Sequence, residues 1–410
     1  MSGVARPHAV RRRVLTAALT LGATLGLADA ASGVAYLKGG EVWVASSRTA
    51  VPARVPGSRG AALLAVSPAS GTLAFLTGPA GADVNADPAP LLTPFLSKRP
   101  YTVTAALSTL VPDRALARLR ARWLTWEGDG RALIAGTDTG TVGWNLVTHR
   151  SFVPNQTPLY QTTSKDGDVT AALGSIQSPD DPGVLLYGPG ARPGTEVFSR
   201  RLPADLFTAL RRDPSLRAFT RQLDPQAQAQ DANWVVTPPQ VTRDGRRVYF
   251  ATNAGWGVGS GGTTTLAVFQ VNVGDVTLKA LGWLGTFAGS ALNVLPSPDG
   301  TALLLLKTRH VSNAEVSMTG EIAQLSSKTR RTLTPLTAPA GLITVPGGAC
   351  WLADGQHVAI SVAQVRPESL TAATSFTPPT SSFTLLVIDI RSGQVVQRIP
   401  GGTQPACLPA

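Results

Sequence analysis

The stretch Leu295-Pro296-Ser297-Pro298-Asp299-Gly300-Thr301-Ala302-Leu303-Leu304-Leu305-Leu306 constrains the fold of this chain more than any other. An apolar approach enters a Ser-Pro-Asp-Gly turn, and a second apolar run leaves it. Proline at the second turn position presets φ, and Asp and Gly accept the reversal that follows. Two apolar runs joined by such a turn read as a β-hairpin. Weaker copies recur along the chain. Aligned on the turn glycine, the anchors are Val66–Gly71, Trp126–Gly130, Ser178–Gly183, Thr242–Gly245, Ser297–Gly300 and Leu352–Gly355, with spacings of 59, 53, 62, 55 and 55 residues. A β-type run follows each one, from Thr72–Leu76 and Ala132–Ala135 through Val184–Tyr187 and Val248–Ala251 to Ala302–Leu306 and His357–Val362.

Third and fourth strands follow in several units. Phe383–Ile390 leads through Arg391-Ser392-Gly393 to Val395–Ile399, Thr264–Val273 precedes Val276–Leu281, and Glu321–Leu325 precedes Arg331–Leu333. Four antiparallel strands repeated every 50 to 60 residues predict an all-β chain built as a β-propeller, because a blade buries both faces only by stacking on neighbours. The Ser-Pro-Asp-Gly turns and strands such as Glu41-Val42-Trp43-Val44 resemble the TolB-like, WD-repeat-like propeller repeats of exported bacterial proteins, over nearly all of residues 33–402. That resemblance implies an architecture and leaves activity open, since the fold hosts many functions.

The blade count depends on the two ends. Residues 33–56 read as three strands with no inner strand before them, while the tail Gly401–Ala410 echoes Gly347–Ala353. Written in front of Gly33–Leu37, the tail completes a blade split across the termini, which closes the ring and removes an open sheet edge. The expectation is seven blades, with six as the alternative. Two segments interrupt the repeat. Residues 78–100, rich in Gly, Pro, Ala and Asp, read as a long loop. Residues 203–232 read as a short helical insertion, with Asp213 as N-cap, Pro214 at the first helical position, and Leu216, Phe219 and Leu223 on one face. Arg211, Arg212, Arg217 and Arg221 face solvent on that reading, as a lid on the fourth blade or a partner-binding element.

The first thirty residues carry Arg6 and Arg11-Arg12-Arg13, the apolar run Val14–Leu27 and the small-residue pattern Ala28-Asp29-Ala30, a signal peptide by its three-part form. The expected domains are therefore 1–30 as signal peptide and 31–410 as one propeller, exported by the Sec or twin-arginine route to the periplasm or beyond. Cleavage would remove four arginines and one aspartate, taking the formal net charge from +11 to +8. The remaining cations are scattered, which fits a solvated basic surface better than a nucleic-acid footprint. No stretch of the sequence qualifies as a transmembrane helix.

Two cysteines in an exported chain favour a disulfide. Cys350 and Cys407 occupy equivalent inner-strand positions in adjacent blades of the alignment, so a bridge would pin the strand that closes the ring; the alternative is two buried thiols. Catalytic motifs are sparse. His149, His310 and His357 lie far apart without a metal-ligand spacing, no Gly-x-Ser-x-Gly elbow occurs, and the glycine-rich run Gly255–Gly262 precedes a β run rather than a helix. No cofactor is expected. The tryptophans fall in or beside strands, where packing between blades explains them; Trp123 and Trp126, flanking an inner strand, and Trp256, at a loop tip, are the candidates for ligand contact. Glu127 and Asp129 beside Trp126 form the one tight carboxylate pair. These features point to a monomeric, non-enzymatic propeller that binds another envelope or extracellular protein through Trp126, Trp256, Arg217 or Arg221. The alternative is a propeller that binds or acts on polysaccharide at its channel mouth.

Overall fold

The computed structural model describes residues 33–409 except 85, 113–116, 139, 154–157, 167, 176–181, 188–197, 200–211, 217–235, 253–263, 276, 290, 313–314 and 367–379. The described residues form six antiparallel sheets that make seven blades, blades 2 and 3 being joined into one eight-stranded sheet where Leu91 and Leu92 pair with Arg120 and Leu119. Blade 1 joins the two ends of the chain, in the order Thr403–Cys407, Val34–Lys38, Glu41–Ala45, Ala53–Arg54. Blade 2 is Ala61–Val66, Leu73–Thr77, Leu91–Ser97, Thr104–Ala106, and blade 3 is Leu119–Trp126, Ala132–Thr137, Gly140–Asn145, Arg150–Phe152. Blade 4 is Pro158–Thr163, Thr170–Ser175, Pro182–Tyr187, Phe198–Ser199. Blade 5 is Gln240–Val241, Arg247–Thr252, Thr264–Asn272, Thr277–Ala280, with Thr286–Gly289 added beside its third strand. Blades 6 and 7 are Ala291–Pro296, Ala302–Ser312, Glu315–Gln324, Thr329–Thr332 and Ile343–Trp351, His357–Val365, Phe383–Asp389, Val395–Pro400. The seven first strands touch one another in succession, and the last returns to the first, so they form the inner ring.

The continuous apolar run Ala302–Leu306 has a direct physical reason. Successive side chains of a strand point to opposite faces, and both faces of an interior blade strand are covered. Leu304 and Leu306 pack toward blade 7 with Trp351, Val358 and Ile360, whereas Leu303 and Leu305 pack toward blade 5 with Tyr249, Ala251 and Leu266. The same alternation runs through blade 5, where Val248 and Phe250 meet Val184 and Leu186 of blade 4. In blade 1, Ala35 and Leu37 face blade 2 while Val34 and Tyr36 face blade 7. Burial pushes the Tyr36 phenol up to about 12.

Three sequence expectations change. Residues 78–100 are not one loop, because Leu91–Ser97 is the third strand of blade 2 and buries Leu92 and Leu96 in the core shared with blade 3. Ser178–Gly183 is not the anchor of blade 4. The turn between its first two strands is at Ser164–Val169, and Gly183 lies inside the third strand. Val184–Tyr187 is accordingly in the third strand of blade 4, not the second. Of the insertion at 203–232, only Arg212–Leu216 is described. Asp213 Oδ1 accepts from the Ser215 N–H (3.0 Å) at the start of the single 3-10 turn Pro214–Leu216, the capping role expected of it.

Closure depends on residues far apart in the chain. Val34 pairs with Cys407, Ala35 with Ala406 and Leu37 with Thr403. Cys350 and Cys407 form a disulfide with a Cα–Cα distance of 5.8 Å, joining the first strands of blades 7 and 1. The strands approach closely beside it, where Gly348 takes φ +111° and a Cβ there would lie 3.2 Å from the Pro405 ring. Arg48 of blade 1 donates to His357 Nε2 of blade 7 (2.8 Å), and His357 Nδ1 in turn donates to Asp354 Oδ2 (2.8 Å). His357 is thus a structural link between the first and last blades. In the chain-entropy model a bridge over 57 residues contributes about 4 kcal/mol. Reduction, or the pair Cys350→Ser and Cys407→Ser, is expected to lower unfolding stability by that order. Urea titration of oxidised and reduced protein checks it, and coincident midpoints would show the ring closing without the bridge.

Candidate functional site at the channel mouth

The anchor turns converge at one end of the central channel. In blades 4, 5 and 6 a hydroxyl opens the turn and an aspartate two residues on accepts from it. The Ser164–Asp166, Thr242–Asp244 and Ser297–Asp299 hydrogen bonds are all 2.6 Å. The same hydroxyl accepts backbone N–H groups from the far side of the turn, Val169 on Ser164 (3.1 Å), Arg247 on Thr242 (3.0 Å) and Ala302 on Ser297 (2.9 Å). Each turn is a hydrogen-bonded plug in which the aspartate is structural.

The carboxyl titrations follow from this wiring. The Ser164 hydroxyl holds Asp166 below the usual carboxylate range. Partial burial pushes Asp244 and Asp299 upward, but hydrogen bonds from Thr242 and the Arg246 N–H, and from Ser297 and Thr301, outweigh it and bring both below the ordinary value. Glu127 goes the other way, raised by burial and then by the charge of Asp129.

The turns also lean on one another around the mouth. A Cβ on Gly128 of blade 3 would lie 1.1 Å from the Ser164 carbonyl oxygen of blade 4, so no other residue fits there. Tyr101 donates to the Gly71 carbonyl within blade 2 (2.8 Å), and Arg99 beside it donates to the Pro409 carbonyl (2.7 Å), tying blade 2 to the end of blade 1. Trp351 Nε1 donates to the Leu295 carbonyl (2.9 Å), tying blade 7 to blade 6.

Inside this collar lies a cavity of about 220 Å³. Pro68, Pro298, Trp351 and Leu408 supply its apolar walls, and Lys165 and Arg243, on the turns of blades 4 and 5, supply its charge. The backbone holds the two cations side by side through the Lys165 N–H to Arg243 carbonyl bond (3.0 Å). Thr163 also lines the cavity, with a buried hydroxyl that has no hydrogen-bond partner among the described residues. No carboxylate lines this mouth among the described residues.

The residues singled out from sequence fare unevenly. Trp126 is 4% exposed and packs among Leu133, Ala135 and Trp144, so its ring belongs to the core and is closed to a ligand. Its place at the end of the first strand of blade 3 gave no sign of which face it would occupy. Trp123 is half-buried against Tyr160 of blade 4, ring centroids 6.1 Å apart. Asp129 accepts from the Arg131 N–H (2.8 Å) inside its own turn. His149 Nδ1 contacts the Leu110 carbonyl (2.8 Å), and His310 lies on the second strand of blade 6. Trp256, Arg217 and Arg221 lie outside the described residues. Lys165 and Arg243 were missed, because Ser164–Asp166 was not read as an anchor and the two turns are 78 residues apart.

Among the described residues no three His, Cys, Asp or Glu side chains gather as a metal-binding group, and no helix is long and apolar enough to cross a membrane. No protein-family model matches the sequence, and no curated protein is similar to it. Solved structures are similar in fold. The tricorn protease aligns over 92% of this chain at 8% identity and a TM-score of 0.52. A prolyl endopeptidase aligns over 91% at 11% identity and a TM-score of 0.51. The chain spans 34% of the former and 49% of the latter. TolB from Acinetobacter baumannii aligns over 92% of this chain and 82% of its own length at 14% identity, with a TM-score of 0.46. At these identities the likeness to the tricorn protease and the prolyl endopeptidase is one of fold alone.

The turn carboxylates make stability pH-dependent with a definite sign. A carboxyl whose folded value lies below its unfolded value binds fewer protons in the folded state, so its contribution is present above the unfolded value, about 3.8, and lost as pH falls through the lower folded value. Stability should therefore decline on acidification below about pH 4. Ser297→Ala removes the donor to Asp299 and the acceptor for Ala302, and is expected to cost about 1–3 kcal/mol at neutral pH and to flatten the acid limb. Chemical denaturation at pH 7, 4 and 2.5 measures both effects, and an acid limb unchanged in the variant would remove Asp299 from the account.

Proposed function

We propose that this protein is an exported, non-catalytic binding propeller whose channel mouth receives an acidic segment of a partner protein of the envelope or extracellular space. The observation that carries this reading is the mouth itself. Two adjacent cations, an unsatisfied hydroxyl and apolar Pro and Trp walls meet there without a carboxylate among the described residues. A pocket of that chemistry favours an anionic group on an extended chain, and cations at a rim raise the association rate by steering. The neighbouring aspartates are occupied within their turns and offer no acid–base pair. The convergent carboxylates that a polysaccharide-cleaving mouth would need are not among its lining residues. The disulfide suits an oxidising compartment, which together with the leader-like first thirty residues supports export.

The test is affinity capture from envelope extract with intact protein and with the double variant Lys165→Glu, Arg243→Glu, followed by binding kinetics on the captured partner. Both side chains sit at the second positions of surface turns, Lys165 exposed and Arg243 half-buried, so folding should survive. The expected result is a partner whose association slows at least about tenfold in the variant and with rising salt. A partner bound equally well by the variant would place the interface elsewhere.

A further inference from the structure

The wedge between the outer parts of blades 5 and 6 holds a second and larger cavity, a groove of about 640 Å³, within the range of small-ligand and cofactor sites. Trp283, in the 3-10 turn Gly282–Leu284, packs partly against the core shared by the two blades and also lines the groove. Three exposed cations surround it. Arg247 comes from the second strand of blade 5, Lys279 from its fourth strand, and Lys328 from the last turn of blade 6. Lys328 adopts φ +53°, a conformation that glycine or asparagine reaches more cheaply, so the turn geometry does not itself call for lysine.

Among the described residues Asp213 is the one carboxylate lining the groove, and it is committed to the wall. Its Oδ1 accepts from the Ser215 N–H (3.0 Å) and hydroxyl, and its Oδ2 from the Gly282 N–H (2.9 Å), which fixes the turn bearing Trp283. Partial burial opposes its ionisation, but those donors and Lys279 together keep the carboxyl below the ordinary range. Three cations therefore line the groove with one carboxylate that already accepts three hydrogen bonds, while Asp244, beside Arg247, is bonded within its own turn. Gln270, the cross-strand partner of Lys279, lines the same groove and donates its Nε2 to Asn272 (2.7 Å), while its carbonyl oxygen can only accept.

An indole surface, an amide acceptor and several cations in one groove match a chain whose monomers carry a flat apolar ring face, hydroxyls and a carboxylate. We propose that this groove binds an acidic polysaccharide of the uronate class, with a sugar ring against Trp283 and its carboxylates paired to Arg247, Lys279 and Lys328. The site is separate from the channel mouth, and neither reading depends on the other. A simple inorganic anion would use the cations and leave the indole idle. A neutral glycan would use the indole and leave the cations unpaired.

Isothermal titration of the full chain with hexagalacturonate tests the proposal, with a neutral glucose hexamer and hexa-aspartate as the two arms that separate sugar from charge. Hexagalacturonate should bind at least about tenfold more tightly than either control. The pair Lys279→Glu and Lys328→Glu, both on the surface and outside the core, should weaken it by at least about tenfold, and Trp283→Ala by about fivefold or more. Lys165→Glu at the mouth should leave it unchanged. If Trp283→Ala fails to fold, the lysine pair and quenching of indole emission by the ligand carry the test. Absence of binding at millimolar hexagalacturonate, equal binding of hexa-aspartate, or affinity unmoved by the lysine pair would each overturn the proposal.

Discussion

Each blade of this protein is apolar on both faces, and a sheet of four strands cannot cover both by itself. The odd and even residues of one strand belong to different cores: Leu303 and Leu305 to the wedge with blade 5, Leu304 and Leu306 to the wedge with blade 7. Removing any blade would leave two such wedges open to water. A closed ring covers both faces of every blade, so closure is a condition of stability.

Closure is concentrated where the chain ends meet. The pairing of Val34 with Cys407 completes blade 1 from the two chain ends, and the disulfide from Cys407 to Cys350 and the Arg48–His357–Asp354 chain hold that blade against blade 7. Their sequence separations are large, so each constrains the whole molecule. The anchor turns around the same mouth are rigid because their hydroxyls and aspartates are hydrogen-bonded within the turn. The collar commits its aspartates to hydrogen bonds within their turns, while Lys165 and Arg243 of the same face line the cavity.

Much of this was legible in the residues. Five of the six anchors fall at the turn between the first and second strands of a blade, and the tail Gly401–Ala410 supplies the missing inner strand of blade 1. The errors have physical causes. Ser178–Gly183 has the right residues for an anchor, but a blade contains three reversals and all of them accept Asp, Pro and Gly, so turn chemistry identifies a hairpin without saying which one. The even spacing made the wrong choice look regular, and it concealed Ser164-Lys165-Asp166-Gly167. In residues 78–100, Pro94 and the flanking Gly, Pro and Asp disguised a strand whose apolar residues Leu92 and Leu96 face the core.

The sequence by itself determined the period, the strand-turn-strand unit, the need for stacking, and the residues available for a disulfide, because each of these rests on local turn chemistry or on alternation along one strand. The tertiary structure alone decided which anchors share a mouth, that Trp126 is enclosed, and that Lys165 and Arg243 stand side by side. It also decided that Trp283, Lys279 and Lys328 border one groove. Those outcomes depend on the angle at which one blade meets the next, and that angle is set by side chains from separate blades filling a common wedge.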